Sequence, residues 1–158
     1  MQYEIIQPNN ETAVTLAEAK KHMRITDTEQ DDMILLYIRT AENFILRRRN
    51  LALKPTQFKV TIDKDITGEA VLPICPVKSI DGGYSFASGQ PSKIQGNIPA
   101  GTTLTMTAGF DEIPFDLKAA VLLYVSERYE NREVNSVARL NQIELGFIDL
   151  INHWGFTS

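Results

Sequence analysis

The spacing of apolar residues changes twice along this 158-residue chain, and those two changes constrain its fold more than any single motif does. Up to about residue 50 apolar side chains recur at the three- and four-residue steps of a helix. From about 56 to 109 they alternate in short runs, and from about 114 the helical spacing returns. The clearest helix can start from Thr28 with Asp31 and ends near Arg49. Ile34, Ile38, Ala41 and Ile45 form its apolar stripe, with Tyr37 and Phe44 widening it. Glu29, Asp31 and Asp32 stand in its first turn and Arg47, Arg48 and Arg49 in its last, and both placements complement the helix dipole. Asn50 is the expected stop, and Pro55 keeps the helix from running far past it. Ahead of it, Thr15-Leu16-Ala17-Glu18 has capping-box spacing, in which hydroxyl and carboxylate satisfy orphan amides of a first turn. A short helix through about Met23 follows from that, broken at Arg24-Ile25-Thr26-Asp27.

The middle stretch reads as strands. Phe58-Lys59-Val60-Thr61-Ile62-Asp63 and Thr103-Leu104-Thr105-Met106-Thr107 alternate as half-buried strands do. Residues 70–74 and 77–80 are short apolar pieces around Pro73 and Pro76, which cannot donate to a ladder, so an edge or bent strand is expected. Asp81-Gly82-Gly83 is a turn signal before Tyr84 and Phe86. In the last stretch Pro114 suits a helix start. Residues 119–125 are apolar all round, so that helix needs cover on more than one side. A neighbouring subunit is a candidate for the second cover, through Leu117, Val121 and Tyr124. Ile143, Phe147, Ile148, Ile151 and Trp154 have helical spacing. The expected fold is α+β but mainly α: a helical core of about four helices (15–50 and 114–154) with one small antiparallel β-sheet inserted (56–109). Residues 1–158 are expected to form a single domain.

Composition removes several classes. With 43% hydrophobic residues and a formal charge of −4, the chain is too apolar and too weakly charged to be disordered. Its longest apolar runs, 33–38 and 119–125, fall far short of the roughly 20 residues that span a bilayer, so no membrane partner is expected. Met1-Gln2-Tyr3-Glu4 carries no basic-then-apolar leader pattern, so no signal peptide is expected. One cysteine, Cys75, excludes an internal disulfide and fits a reducing compartment. A mildly acidic total argues against a general nucleic-acid coat.

No catalytic, cofactor or metal constellation emerges. His22 and His153 stand alone in amphipathic settings, and no paired-cysteine, His-Glu-x-x-His or phosphate-loop spacing exists. Asp27, Glu29, Asp31 and Asp32 suggest a calcium loop, but its glycine is missing and Ile38 occupies the place of the bidentate glutamate. Cys75 lies in an apolar run with no base beside it and reads as a small core residue. Arg47, Arg48 and Arg49 have two readings, a phosphate contact or a solvated helix end. The terminal Phe147, Ile148, Ile151 and Trp154 also have two: an anchor for an interface, or packing on the chain's own core.

The order of motifs resembles one family, the head–tail connector (adaptor) proteins of long-tailed bacteriophages and prophages. Leu16-Ala17-Glu18-Ala19-Lys20-Lys21-His22-Met23-Arg24-Ile25 is similar to that family's opening. Leu72-Pro73-Ile74-Cys75-Pro76-Val77-Lys78-Ser79-Ile80 resembles its leucine–proline–x–x–proline–valine–x–serine–isoleucine strand. Thr105-Met106-Thr107-Ala108-Gly109-Phe110 looks like its threonine–alanine–glycine–tyrosine strand end, with Phe110 where tyrosine is usual. Residues 113–120 and Tyr129-Glu130-Asn131-Arg132-Glu133 resemble the start and end of its third helix; residues 135–141 have no counterpart.

The resemblance implies a virion structural protein of the neck with no enzymatic activity, cofactor or metal, assembled in the host cytoplasm. It implies a homo-oligomeric ring, commonly of about a dozen copies, below the portal protein. The ring would extend the DNA channel, let DNA pass without sequence-specific binding, and offer a platform to a stopper or tail-completion protein. On that reading Pro114 and Asp116 start the third helix, and Glu130 and Arg132 end it in a polar cluster that pairs within the subunit or across the ring. Arg47–Arg49 become lumen or neighbour contacts, and Phe147, Ile148, Ile151 and Trp154 portal contacts. A chain cut before Phe147 is then expected to fold but not to dock. Two alternatives remain: a stopper, which should be mostly β, and a small DNA-binding regulator, which would need a basic recognition helix.

Overall fold

The computed structural model describes residues 1–7, 10–131 and 146–157. The elements run β1 (Gln2–Gln7), α1 (Leu16–Met23), α2 (Asp31–Arg49), β2 (Thr56–Thr61), β3 (Ile66–Val71), β4 (Val77–Ile80), β5 (Ser85–Ala87), β6 (Lys93–Ile98), β7 (Thr103–Ala108), α3 (Phe115–Glu130) and a short α4 over residues 146–151. Among the described residues helix makes up 35% and strand 28%, an even α+β mixture and not mainly α. The strands form two antiparallel sheets, ordered β1-β2-β7-β4 and β3-β6-β5, where a single small sheet was expected.

Two strands account for that correction. β1 lies inside the stretch read as helical, because six residues are too few to establish a period against the helices that follow. What makes it a strand is a distant partner, with Tyr3 opposite Val60 and Ile5 opposite Phe58. β6 contains Gly96 and Asn97, residue types depleted in strands. It is held on both sides, by β3 (Gly68 opposite Gly96) and by β5 (Phe86 opposite Ile94). The two proline-flanked pieces expected as one bent strand belong to different sheets: β3 pairs with β6 and β4 with β7.

The chain divides into two compact units. The β-rich unit comprises Met1–Asn10, Leu46–Asp111 and Trp154–Ser158. Phe58, Val60, Ile62, Leu72, Ile74, Val77, Ile94, Ile98, Leu104 and Met106 close between its strands as one buried cluster. Ser92, fully buried, organises the turn before β6: its Oγ accepts from the Val77 amide at 2.9 Å and donates to the Gly89 carbonyl at 2.9 Å. The helical unit comprises Glu11–Ile45 and Glu112–His153. The capping box forms as expected: the Glu18 amide donates to Thr15 Oγ1 at 3.1 Å, and the Thr15 amide donates to Glu18 Oε2 at 2.7 Å. These bonds hold the Glu18 carboxyl below its ordinary value of 4.5. α1 ends at Arg24 in the left-handed region, φ 59°. Lys20 then ties it to the first turn of α2 through Asp31 at 2.7 Å.

Candidate assembly surfaces

In the β-rich unit, the end of α2 is held by the chain's own C-terminal segment. Asn50 adopts φ 50°, one of the few non-glycine residue types that tolerate this region, and stops the helix. Residues 154–156 then satisfy the Arg49 carbonyl and accept from the side chains of Arg49 and Asn50. The Phe156 amide donates to the Arg49 carbonyl at 2.9 Å. Arg49 Nε donates to the Trp154 carbonyl at 2.7 Å, and Asn50 Nδ2 to the Phe156 carbonyl at 3.1 Å. Gly155, at φ 63°, makes the close pass possible: a Cβ there would lie 2.1 Å from the Arg49 carbonyl oxygen. The Trp154 ring meets Phe110 edge-on at 6.0 Å. Of the three arginines singled out in the sequence, Arg49 is therefore engaged in the fold, while Arg47 and Arg48 point into solvent.

In the helical unit, α3 finds its second cover within the chain. Leu117 and Val121 are fully buried and Tyr124 nearly so. Phe147 of α4 is 1% exposed, with ring centroids 5.3 Å from Phe44 and 5.3 Å from Tyr124. Ile151 is fully buried and Ile148 half-buried, while Arg128 lies 5.2 Å above the Tyr124 ring. Leu117 and Val121 thus have no surface left for a neighbour. Phe147 and Ile151 serve the chain's own core, so a cut before Phe147 removes core side chains and not a loose tail. Glu130 is exposed, and Arg132 lies outside the described residues.

Among the described residues the large apolar side chains that remain exposed are Tyr3, Ile5, Ile6, Met33, Leu36, Val71 and Phe115, the last 90% exposed, and none of them was an interface candidate from the sequence. Met33 and Leu36 had a visible signal. At 100° per residue Leu36 falls on the face of α2 opposite its Ile34–Ile38–Ala41–Ile45 stripe, where an amphipathic helix should be polar, and Met33 falls on the flank between them. A second feature joins residues far apart in sequence. Val14 and Leu122 lie in an open pocket of about 380 Å³ edged by Glu18, Lys21, His22 and Lys118. Cys75 is buried, which pushes its thiol up to about 12 despite the opposing influence of Arg49. Among the described residues no group of three or more His, Cys, Asp or Glu side chains is placed to hold a metal ion. Among them, too, no helix is long and apolar enough to cross a membrane.

The whole fold is that of proteins from particle necks. Over 100% of this chain and 97% of the matched chain it is similar, with a TM-score of 0.80 and 22% identity, to a chain in the neck of an empty gene transfer agent particle computed with C6 symmetry. The same coverage holds for a chain in the virion of the native particle (TM-score 0.80, 23% identity) and for one in its neck computed with C12 symmetry (0.77, 23%). Residues 13–73 match the family described as phage gp6-like head–tail connector protein, the family that the sequence motifs resemble. No curated protein matches.

Proposed function

We propose that this chain is a head–tail connector subunit: a structural protein of a virion neck that forms a ring below the portal protein. There it extends the DNA channel and offers a docking platform to a stopper or tail-completion protein. The observation that carries this reading is the agreement of two independent likenesses. The connector family model matches from the capping box of α1 through β3, and the entire chain superimposes on neck proteins. The fold also fits the role. Its strand content of 28% is too low for a mostly β stopper, and its only run of three arginines sits at the end of α2 and not along a helix face. A chain with formal charge −4 suits a channel that DNA must leave freely, since tight binding relies on neutralising many phosphates.

The ring's subunit contact is heterologous, using two different complementary faces. Its copy number lies at six or twelve, the symmetries applied to the similar necks. Docking on the portal engages the C-terminal part around Ile148 and Trp154, and exposed Glu130 faces a neighbour. Arg47 and Arg48 meet an acidic neighbour rather than DNA. The test is negative-stain imaging of the purified chain, alone and mixed with the portal protein of the same particle. Rings, free or seated on the portal, are the expected result; a chain that stays monomeric in both overturns the reading. Replacing Arg47 and Arg48 with alanine should leave any DNA binding of the chain, and its salt dependence, unchanged.

A further inference from the structure

The helical unit carries two exposed patches that match one another in charge and in apolar content. The first is on α2. Asp32 and Leu36 lie opposite the helix's buried stripe, Met33 lies on the adjoining flank, and Glu29 stands in the turn just before the helix, three residues ahead of Asp32. Among the described residues, neither the Glu29 nor the Asp32 carboxylate has an ion-pair partner. Asp31, the other acid of that turn, is already neutralised by Lys20. Met33 is 39% and Leu36 56% exposed, unusual values for two large apolar side chains on one helix face. Arg39, a turn further on, marks where the acidic half ends.

The second patch is the pocket formed by α1, α3 and the residue pair before α1. Half-buried Leu122 supplies its apolar surface, over the fully buried Val14, and Lys21 and Lys118 its cations. Glu18 lies 3.5 Å from Lys118 and offsets part of that charge, leaving Lys21 as the pocket's lysine without an ion-pair partner. The volume of about 380 Å³ falls in the range of roughly 300–1,000 Å³ in which protein pockets accept ligand-sized groups. One patch is therefore apolar and acidic and convex, as a helix face is. The other is apolar and cationic and concave.

Two unlike, complementary patches on one subunit are what a head-to-tail ring requires. Resting on the ring reading above, we infer that they are its two halves: Met33 and Leu36 of one copy seat against Leu122 in the α1–α3 pocket of the next, with Glu29 and Asp32 facing Lys21 and Lys118. The apolar contact supplies adhesion, and the charges fix which face meets which. Charge complementarity acts on register and partner choice more than on raw affinity.

The contact predicts a specific assembly pattern. A Glu29→Lys/Asp32→Lys copy presents like charges to its neighbour's pocket, and so does a Lys21→Glu/Lys118→Glu copy. Each alone should need about tenfold more protein, or more, to assemble. Mixed in equal amounts they should assemble again, because in an alternating ring every reversed patch meets a reversed partner. Circular dichroism of each variant separates misfolding from lost contact. In parallel, a Leu36→Cys/Leu122→Cys chain should give a ladder of disulfide-linked oligomers on oxidation, since the native Cys75 is buried and silent. Rings that form normally from both charge-reversed variants, without a cysteine ladder, overturn this contact while leaving the ring reading intact. An unaltered chain that never forms a ring overturns both.

Discussion

Replacing Phe147 with alanine tests whether α4 belongs to the helical unit's core. Its side chain is 1% exposed, fully enclosed by the chain, and sits between the rings of Phe44 and Tyr124 at 5.3 Å from each. Truncating a buried phenylalanine to alanine costs about 3–5 kcal/mol, the lost transfer energy plus the cavity left behind. The loss of two aromatic contacts, each worth roughly 0.5–1.5 kcal/mol beyond area, favours the upper half of that range. Domains are stable by only about 5–15 kcal/mol, so this one change removes a large share. At roughly 2–4 °C per kcal/mol for a chain of this size, the melting temperature should fall by about 6–20 °C. Thermal unfolding followed by circular dichroism measures it. Ile148→Ala, at a half-buried neighbour, is the internal control and should cost about 1 kcal/mol. A Phe147→Ala protein melting within about 2 °C of the native chain, or one less affected than Ile148→Ala, would refute the reasoning and restore the idea of a detachable docking tail.

Three further outcomes follow from particular contacts. Thr15→Ala should cost about 1 kcal/mol by removing half of the capping box. Because the Thr15 amide first, and its hydroxyl second, lower the folded-state pKa of Glu18, their contribution is fully present above about pH 4.5 and is lost as pH falls through the depressed value. Thr15→Ala keeps the amide bond, so acid titration of stability should show the gap between the two chains narrowing there without closing. Gly155→Ala places a Cβ 2.1 Å from the Arg49 carbonyl oxygen and should detach residues 154–156 from the end of α2. The single tryptophan reports it as a red shift of fluorescence, and an unshifted spectrum would contradict the close pass. Cys75, buried with its thiol pushed up to about 12, should react with a thiol reagent only on unfolding; fast labelling of the native chain would contradict its burial.

Local chemistry made the helices legible. A capping box, a stripe of isoleucines, an acidic start and an arginine end act within one or two turns, so α1 and α2 could be placed from residues alone, and Asn50 as the stop. The strands β2 and β7 alternate strongly enough to be read the same way. β1 and β6 could not be, since each is a strand only because of partners distant in sequence. The family resemblance came from ordered motifs, each too short to specify a surface.

Which apolar residues end up exposed is a different kind of question. Leu117, Val121, Phe147 and Ile151 read as surface candidates because nothing local says what covers them; the chain itself does. Met33 and Leu36 went unnoticed beside the stronger isoleucine stripe, and the pocket of Val14, Lys21, Lys118 and Leu122 joins residues about a hundred positions apart. The sequence by itself determined the periodicities, the caps, the charge at each end of α2 and the family likeness, all set by neighbours along the chain. Only the tertiary structure decided that there are two sheets, that α4 lies in the core, and which faces stay open, because burial depends on what packs from elsewhere and no local pattern encodes it.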